Sequence, residues 1–169
     1  MALRSNHYDA AFEAYLRTGR TPYVAVDEAR RALTADASLK SLDFIVYSQQ
    51  GRNLLVDVKG RKFPTGAAGL GQKWENWTEE DDLTSLLRWQ QLFGGEFRAA
   101  LVFAYEIAEP RWHAQHPQRW EFRQRTYAFY GVWADEYAEA MRDRSPAWET
   151  VSVPRRAFDG LRRPIAELL

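Results

Sequence analysis

Hydrophobic positions change period several times along this chain, and each change marks an element. Between Asn6 and Arg17, the residues Tyr8, Ala11, Phe12, Tyr15 and Leu16 recur three and four apart, the spacing of one apolar helical stripe. Asn6 stands where an N-cap belongs, Asp9 is placed to reinforce it, and Gly19 follows the last turn. Residues 22–26 predict a short strand opened by proline, and 27–33 a helical turn. Two β-rich runs, 42–48 and 54–59, are joined by the polar stretch 49–53 and predict a hairpin. A glycine-rich loop fills 63–77. Thr78 then reads as an N-cap, with Glu79, Glu80, Asp81 and Asp82 in the first turn of a helix, where the macrodipole favours negative charge. That acidic run reads as capping rather than as a metal site. Leu83, Leu86, Leu87 and Gln90 share a face of this helix, Gly94-Gly95 stops it, and 98–105 is a strong strand. Farther on, 120–133 is aromatic and strand-like, 135–144 helical, 148–153 a last strand and 154–169 a basic tail with some helix.

Charges interrupt the hairpin in one place. Asp57 and Lys59 are two apart, so strand alternation points them the same way, and Asp43 in the partner run can join them at one end of the sheet. An aspartate inside an apolar strand is costly unless it is paired or binds a cation. Asp43, Asp57 and the backbone carbonyl of Val58 make an all-oxygen set, which suits Mg²⁺ or Mn²⁺ rather than Zn²⁺. In such a site Asp43 and Asp57 hold the ion, while Lys59 lies near the water and the phosphate and offsets developing negative charge. The competing account is a structural ion pair at a sheet edge, which two strand acids and a lysine on one face make expensive. Arg52, Arg61, Lys62 and Lys73 gather around this candidate site. Trp74 and Trp77 beside Lys73 read first as loop anchors in the core, with stacking on splayed bases as the functional alternative. His113 and His116 have a metal-like spacing, but their Pro-flanked, Gln-rich surroundings predict a surface loop. The glycines of 66–71 form no P-loop, since no Gly-Lys-Ser/Thr follows.

Composition narrows the class. The 169 residues, 46% of them apolar, favour one globular domain spanning 1–169. No apolar run approaches the ~18 residues that cross a bilayer, so a membrane is not expected as a partner. The first residues lack the apolar stretch of a secretory signal, and the chain has no cysteine; both fit a cytoplasmic location. Lys and Arg number 23, as do Asp and Glu, which argues against tight non-specific binding to nucleic acid. A second local basic segment, Arg111, Arg119, Arg123 and Arg125 with Trp112 and Trp120, reads as solvated strand faces.

Helix, strand, strand, strand, helix, strand, with acids on the second and third strands and a lysine two residues on: in this the chain resembles the PD-(D/E)xK, or restriction-endonuclease-like, nuclease superfamily. Asp43 matches the first acid of that family, and Asp57-Val58-Lys59 its (D/E)-x-K; the namesake proline before the first acid is Leu42 here. Within the superfamily the pattern is most like archaeal Holliday-junction resolvases and their small bacterial relatives. The resemblance spans 5–106. It implies an α/β fold with an αβββαβ core, a mixed central sheet flanked by helices, and 107–169 as further strands and helices packed on that core. It also implies a glutamate on the first helix, which Glu13 would match as a ligand through water or at a second ion. It implies a glutamine on the helix after the third strand, Gln90, to orient water or phosphate. The activity implied is Mg²⁺- or Mn²⁺-dependent in-line hydrolysis of phosphodiesters in DNA, structured or branched, by a homodimer. A non-catalytic nucleic-acid- or protein-binding module on the same fold stays open, as does a hydrolase of small phosphorylated molecules.

Overall fold

The computed structural model describes residues 6–27, the backbone of 32–33, and residues 38–65 and 74–169. Helix α1 (His7–Thr18) comes first, followed by the strands β1 (Tyr23–Ala25), β2 (Ala32–Leu33), β3 (Ser38–Leu39), β4 (Phe44–Val46), β5 (Asn53–Phe63) and β6 (Thr78–Glu79). Helix α2 (Glu80–Phe93) leads into β7 (Phe97–Ile107), and the hairpin β8 (Trp120–Phe122) and β9 (Arg125–Trp133) follows. The chain ends through α3 (Ala134–Ala140), β10 (Arg142–Ser145), β11 (Thr150–Ser152), α4 (Arg155–Leu161) and β12 (Arg163–Pro164).

The central sheet runs β1-β4-β5-β7-β9-β12, with β8 paired to β9. Strands β5 and β7 are parallel, joined by the α2 crossover, and the other pairings are antiparallel. The sheet is therefore mixed, and α1, β1, β4, β5, α2 and β7 follow the αβββαβ order. The C-terminal third does more than pack on this core, because β8, β9 and β12 add strands to the same sheet.

Alternation along β5 sorts its residues between two layers. Leu54, Val56 and Val58 face α1, where Ala11, Phe12 and Leu16 complete one core with Phe44, Val46, Ala100 and Val102. Leu55 and Phe63 face the other way, onto Leu83 and Leu86 of α2, Tyr137 of α3 and Phe158 of α4. Asp57, Lys59 and Arg61 fall between Leu55 and Phe63 on this second face. The two helices thus close opposite faces of one strand, and only its middle is left polar.

Local signals decide some boundaries and mislead at others. Asn6 caps α1, its side chain accepting from the Tyr8 N–H at 3.0 Å. Thr78 is not a cap: it lies buried in β6, paired to Val151 of β11, and α2 begins after Glu79. The expected helical turn at 27–33 gives way at Ala32–Leu33 to a strand paired with β3, and the glycine-rich stretch 66–71 lies outside the described residues. The helix expected over 135–144 ends at Ala140, because Arg142–Ser145 pairs with β11. His116 is no surface residue: it is fully buried, Nδ1 lies 2.9 Å from the Tyr130 hydroxyl, and its ring stands edge-on to Phe63. The Pro-flanked loop folds back over an aromatic box of Phe63, Trp74, Tyr105 and Tyr130, a tertiary event that local composition does not encode.

Gly60 sets how closely α1 approaches. Its missing side chain leaves room for the Tyr8 ring, and a Cβ there would overlap Tyr8 Cγ, Cδ2 and Cε2. Gly60→Ala should destabilise the protein by about 1–3 kcal/mol through this overpacking, and Tyr8→Ala in the same chain should recover part of the loss. Denaturant unfolding of the single and double variants measures both. A second expectation concerns acid. Burial, with the charges of Arg162 and Arg119, pushes His116 down from 6.5 to about 4. The folded protein keeps this imidazole neutral while the unfolded chain protonates it, so stability falls as pH drops through the interval from 6.5 to about 4. Relative to His116→Gln, the wild type should lose roughly 1.4 kcal/mol per pH unit there, as followed by unfolding at graded pH.

Candidate active site

The strand pairing of β4 with β5 ends at Phe44 opposite Val56. Just before it, Asp43 takes over from the ladder. Its N–H donates to the Val56 carbonyl at 2.9 Å, and its Oδ2 accepts the Val58 N–H at 2.6 Å. A carboxylate thereby satisfies a backbone donor that pairing with β4 no longer reaches. Beyond this point β5 continues alongside β7 alone, and a cavity of about 340 Å³ opens beside it, lined by Asn6, Asp9, Lys40, Ser41, Asp43, Asp57, Val58, Lys59 and Asp82. Asp9 and Asp43 are 2% and 6% exposed, so two carboxylates are held at the cavity wall almost out of solvent.

Lys59 bridges the middle of the cavity. Its ammonium lies 3.0 Å from Asp57 Oδ2 and 2.6 Å from Asp82 Oδ2. Lys40 takes the other oxygen of Asp82 at 2.7 Å and reaches Glu79 at 2.5 Å. Four carboxylates and two ammonium groups face the space, so it carries an excess of negative charge. Burial pushes the Asp57 carboxyl up; the neighbouring Lys59 charge works against this and Asp82 adds to it, and the net shift is upward. Burial also acts on Asp82, but Lys59 and Lys40 outweigh it and hold that carboxyl below the usual range. Burial alone would lower Lys59; Asp57 and Asp82 reverse this and raise it.

The structure brings Asp43, Asp57, the Val58 backbone and Lys59 to one cavity and sends other candidates elsewhere. Glu13 does not line it: Oε1 accepts from the Tyr23 hydroxyl at 2.8 Å and pairs with Arg17 at 3.3 Å, one turn along from the opening. The α1 acid at the cavity is Asp9. Gln90 does not line it either; its Oε1 accepts the Ala99 N–H at 2.7 Å and so pins the end of α2 to β7. Arg52 precedes β5 at its far end, near Arg98 and Trp133. Arg61 is committed to the protein, donating to the carbonyls of Gly60 and Trp77 with its guanidinium 4.0 Å from the Trp77 ring. Lys62 is exposed and, by alternation, belongs to the α1 side of β5. Trp74 is a core anchor packed against Phe63, Tyr105 and Tyr130. Trp77 carries Arg61 and Arg144 against its ring. Lys73 lies outside the described residues.

Asp9, Asp82 and Lys40 are the cavity residues that pattern reading passed over, and two of them left a signal. Asp9 stands three and seven residues before Phe12 and Leu16, so it extends the buried stripe of α1, whereas Glu13 borders it. Asp82 stands four before Leu86, on the sheet-facing side of α2. Helix-start chemistry explains an acid at either position and masked the second role. Nothing in the local sequence marks Lys40.

No protein-family model matches the chain, and no curated protein does. Its structure does match that of Hjc from Archaeoglobus fulgidus, a Holliday junction resolvase from an archaeal hyperthermophile. The TM-score is 0.55 at 12% sequence identity, over 96% of this chain and 97% of that one. The match therefore takes in most of the C-terminal third, which the sequence resemblance left out. No helix among the described residues is long and apolar enough to cross a membrane. The likeness to the PD-(D/E)xK superfamily holds at the level of architecture: the chain has the restriction-endonuclease-like fold, with a mixed central sheet flanked by helices.

Proposed function

We propose that this protein is a metal-dependent nuclease that hydrolyses phosphodiester bonds in DNA, with branched DNA, the substrate type of the resolvase that shares its fold, as the first to test. The observation that carries the proposal is the convergence of Asp9, Asp43, Asp57 and Lys59 on one open cavity where β5 runs without β4. A cytoplasmic location goes with this reading.

The residues fit a hard divalent ion. Four carboxylates and two ammonium groups line the cavity, so by count it has room for further positive charge. Among the described residues no three carboxylate or imidazole groups converge to enclose an ion alone. Mg²⁺ does not require such a cage, because it retains several waters and is commonly held by one or two carboxylates. Asp43, Asp57 and the Val58 carbonyl are the proposed ligands, with Asp9 placed to hold a ligand water from the α1 side. When bound there, the ion would polarise a phosphoryl oxygen and acidify a water for in-line attack.

The chain's own groups have separate tasks. Asp43 fixes the β5 backbone at Val58 and so orients the carbonyl. Lys59 brings a fixed positive charge to the phosphate and offsets the charge that builds up in the transition state. The excess of carboxylates would repel a phosphodiester from the empty cavity, so cation and substrate enter cooperatively in charge. Arg144 beside Trp77 offers an exposed cation for the DNA backbone.

Mg²⁺- or Mn²⁺-dependent cleavage of four-way, flapped, single-stranded and duplex DNA tests the proposal. Asp43→Asn, Asp57→Asn, Lys59→Ala and Asp9→Asn should each lower the rate by at least about 100-fold, whereas Glu13→Gln should retain wild-type activity. Asp57→Asn without metal should unfold at a temperature no lower than wild type, because it removes a carboxylate that burial disfavours. Absence of cleavage on all four DNAs, with no Mn²⁺ bound by calorimetry, would refute a catalytic role and leave the binding-module alternative.

A further inference from the structure

The strand acids account for an ion and a lysine, but not for the charged chain that continues past Lys59 into α2. We propose that Asp82 is a positioning residue for Lys59: braced by Lys40, it holds the Lys59 ammonium against the α2 wall and leaves Asp57 available to a divalent ion. This rests on the cation site proposed above.

The geometry supports it at three points. Lys59 lies closer to Asp82, at 2.6 Å, than to Asp57, at 3.0 Å. Asp82 has one oxygen on each of two ammonium groups, so its carboxylate plane cannot turn without breaking one of them. Lys40 is itself anchored to α2, since its N–H donates to Ser85 Oγ at 3.1 Å and its carbonyl accepts from Trp89 Nε1 at 2.9 Å. Asp82, Ser85 and Trp89 follow at helical spacing on one face, so a single rigid element carries the whole brace. Capping does not explain this placement. Glu80 and Asp81 stand in the same first turn at exposed positions, Asp81 only 3.6 Å from Lys40, and only Asp82 reaches both lysines.

A purely structural ion-pair network would hold α2 to β5 equally well, and the two roles make different predictions. If Asp82 shares the Lys59 ammonium with Asp57, its loss leaves the ammonium wholly on Asp57 in competition with the metal. Asp82→Asn should then weaken Mn²⁺ binding and lower kcat by about 10–100-fold, with KM little changed. Asp82→Glu should recover part of both effects, and Glu80→Gln, an equal change of charge in the same turn, should match wild type. In a Lys59→Ala background, Asp82→Asn should shift Mn²⁺ affinity by less than about two-fold, because the coupling runs through the missing ammonium. Nitrogen NMR of the lysine side chains should show an ordered Lys59 ammonium in wild type and an averaged one in Asp82→Asn. Should Asp82→Asn not fold, Lys40→Gln provides the same readouts with a smaller expected effect. Folded Asp82→Asn that binds Mn²⁺ and turns over like wild type, with Lys59 still ordered, overturns the inference. If Asp57→Asn also binds Mn²⁺ like wild type, the cation site itself falls; if Asp57→Asn loses the metal and Asp82→Asn does not, only the positioning role falls.

Discussion

The candidate site depends on the hydrogen bond from the Val58 N–H to Asp43. Antiparallel pairing needs a backbone carbonyl opposite each donor, and the chain before β4 turns away before it can supply one. The Asp43 side chain fills that place at 2.6 Å. This substitution allows β4 to part from β5 without orphaning a buried donor, which would cost about 1–3 kcal/mol. It also fixes a carboxylate at the mouth of the opening it permits. The break in the sheet and the first acid of the site thus have one cause.

Around that break, packing and electrostatics oppose each other. Gly60 lets the Tyr8 ring down onto β5 and so carries Asp9 into the cavity from one face. Leu83 and Leu86 seat α2 on the other face and carry Asp82 in from there. Apolar burial therefore pulls acids together that repel one another. Lys59 and Lys40 relieve that repulsion, and what still raises the proton affinity of Asp57 is chiefly its loss of solvent. Buried ion pairs seldom repay their desolvation by stability alone. The network lies beside the opening where β4 parts from β5, which is where the proposed cation would sit.

Much of this was legible in the sequence wherever one local rule sufficed. Strand alternation paired Asp57 with Lys59, the hairpin brought Asp43 alongside, and the order of helices and strands gave the architecture. Reading failed where one residue answers to two rules. Asp9 and Asp82 satisfy helix-start chemistry and also face inward, and only the phase of the apolar stripe separates the two roles. Glu13 and Gln90 were assigned by resemblance, but their carboxylate and amide oxygens are taken by Tyr23, Arg17 and the start of β7. Arg61 and Trp74 looked like substrate contacts because charge and aromaticity were visible and burial was not. His116 was misplaced for the same reason: its environment is assembled from Phe63 and Trp74, some forty to fifty positions upstream, and from Tyr130, 14 downstream.

The C-terminal third ties these observations together. Residues 74–77 lead directly into β6 and α2, and that third grips them. Asn76 exchanges two hydrogen bonds with the Val153 backbone, at 2.9 and 3.0 Å. The Tyr137 hydroxyl donates to the Asn76 carbonyl at 2.7 Å, and β11 pairs with β6. Arg162 lies 3.9 Å from the Trp74 ring, over the same aromatic box that buries His116. The start of α2 is thus set by groups some sixty to ninety residues farther along the chain, and Asp82 lies in the first turn of that helix. A segment with no acid in the cavity therefore determines where one of its carboxylates points. Without it the α2 wall of the site would lose the contacts that hold it in register with Lys59.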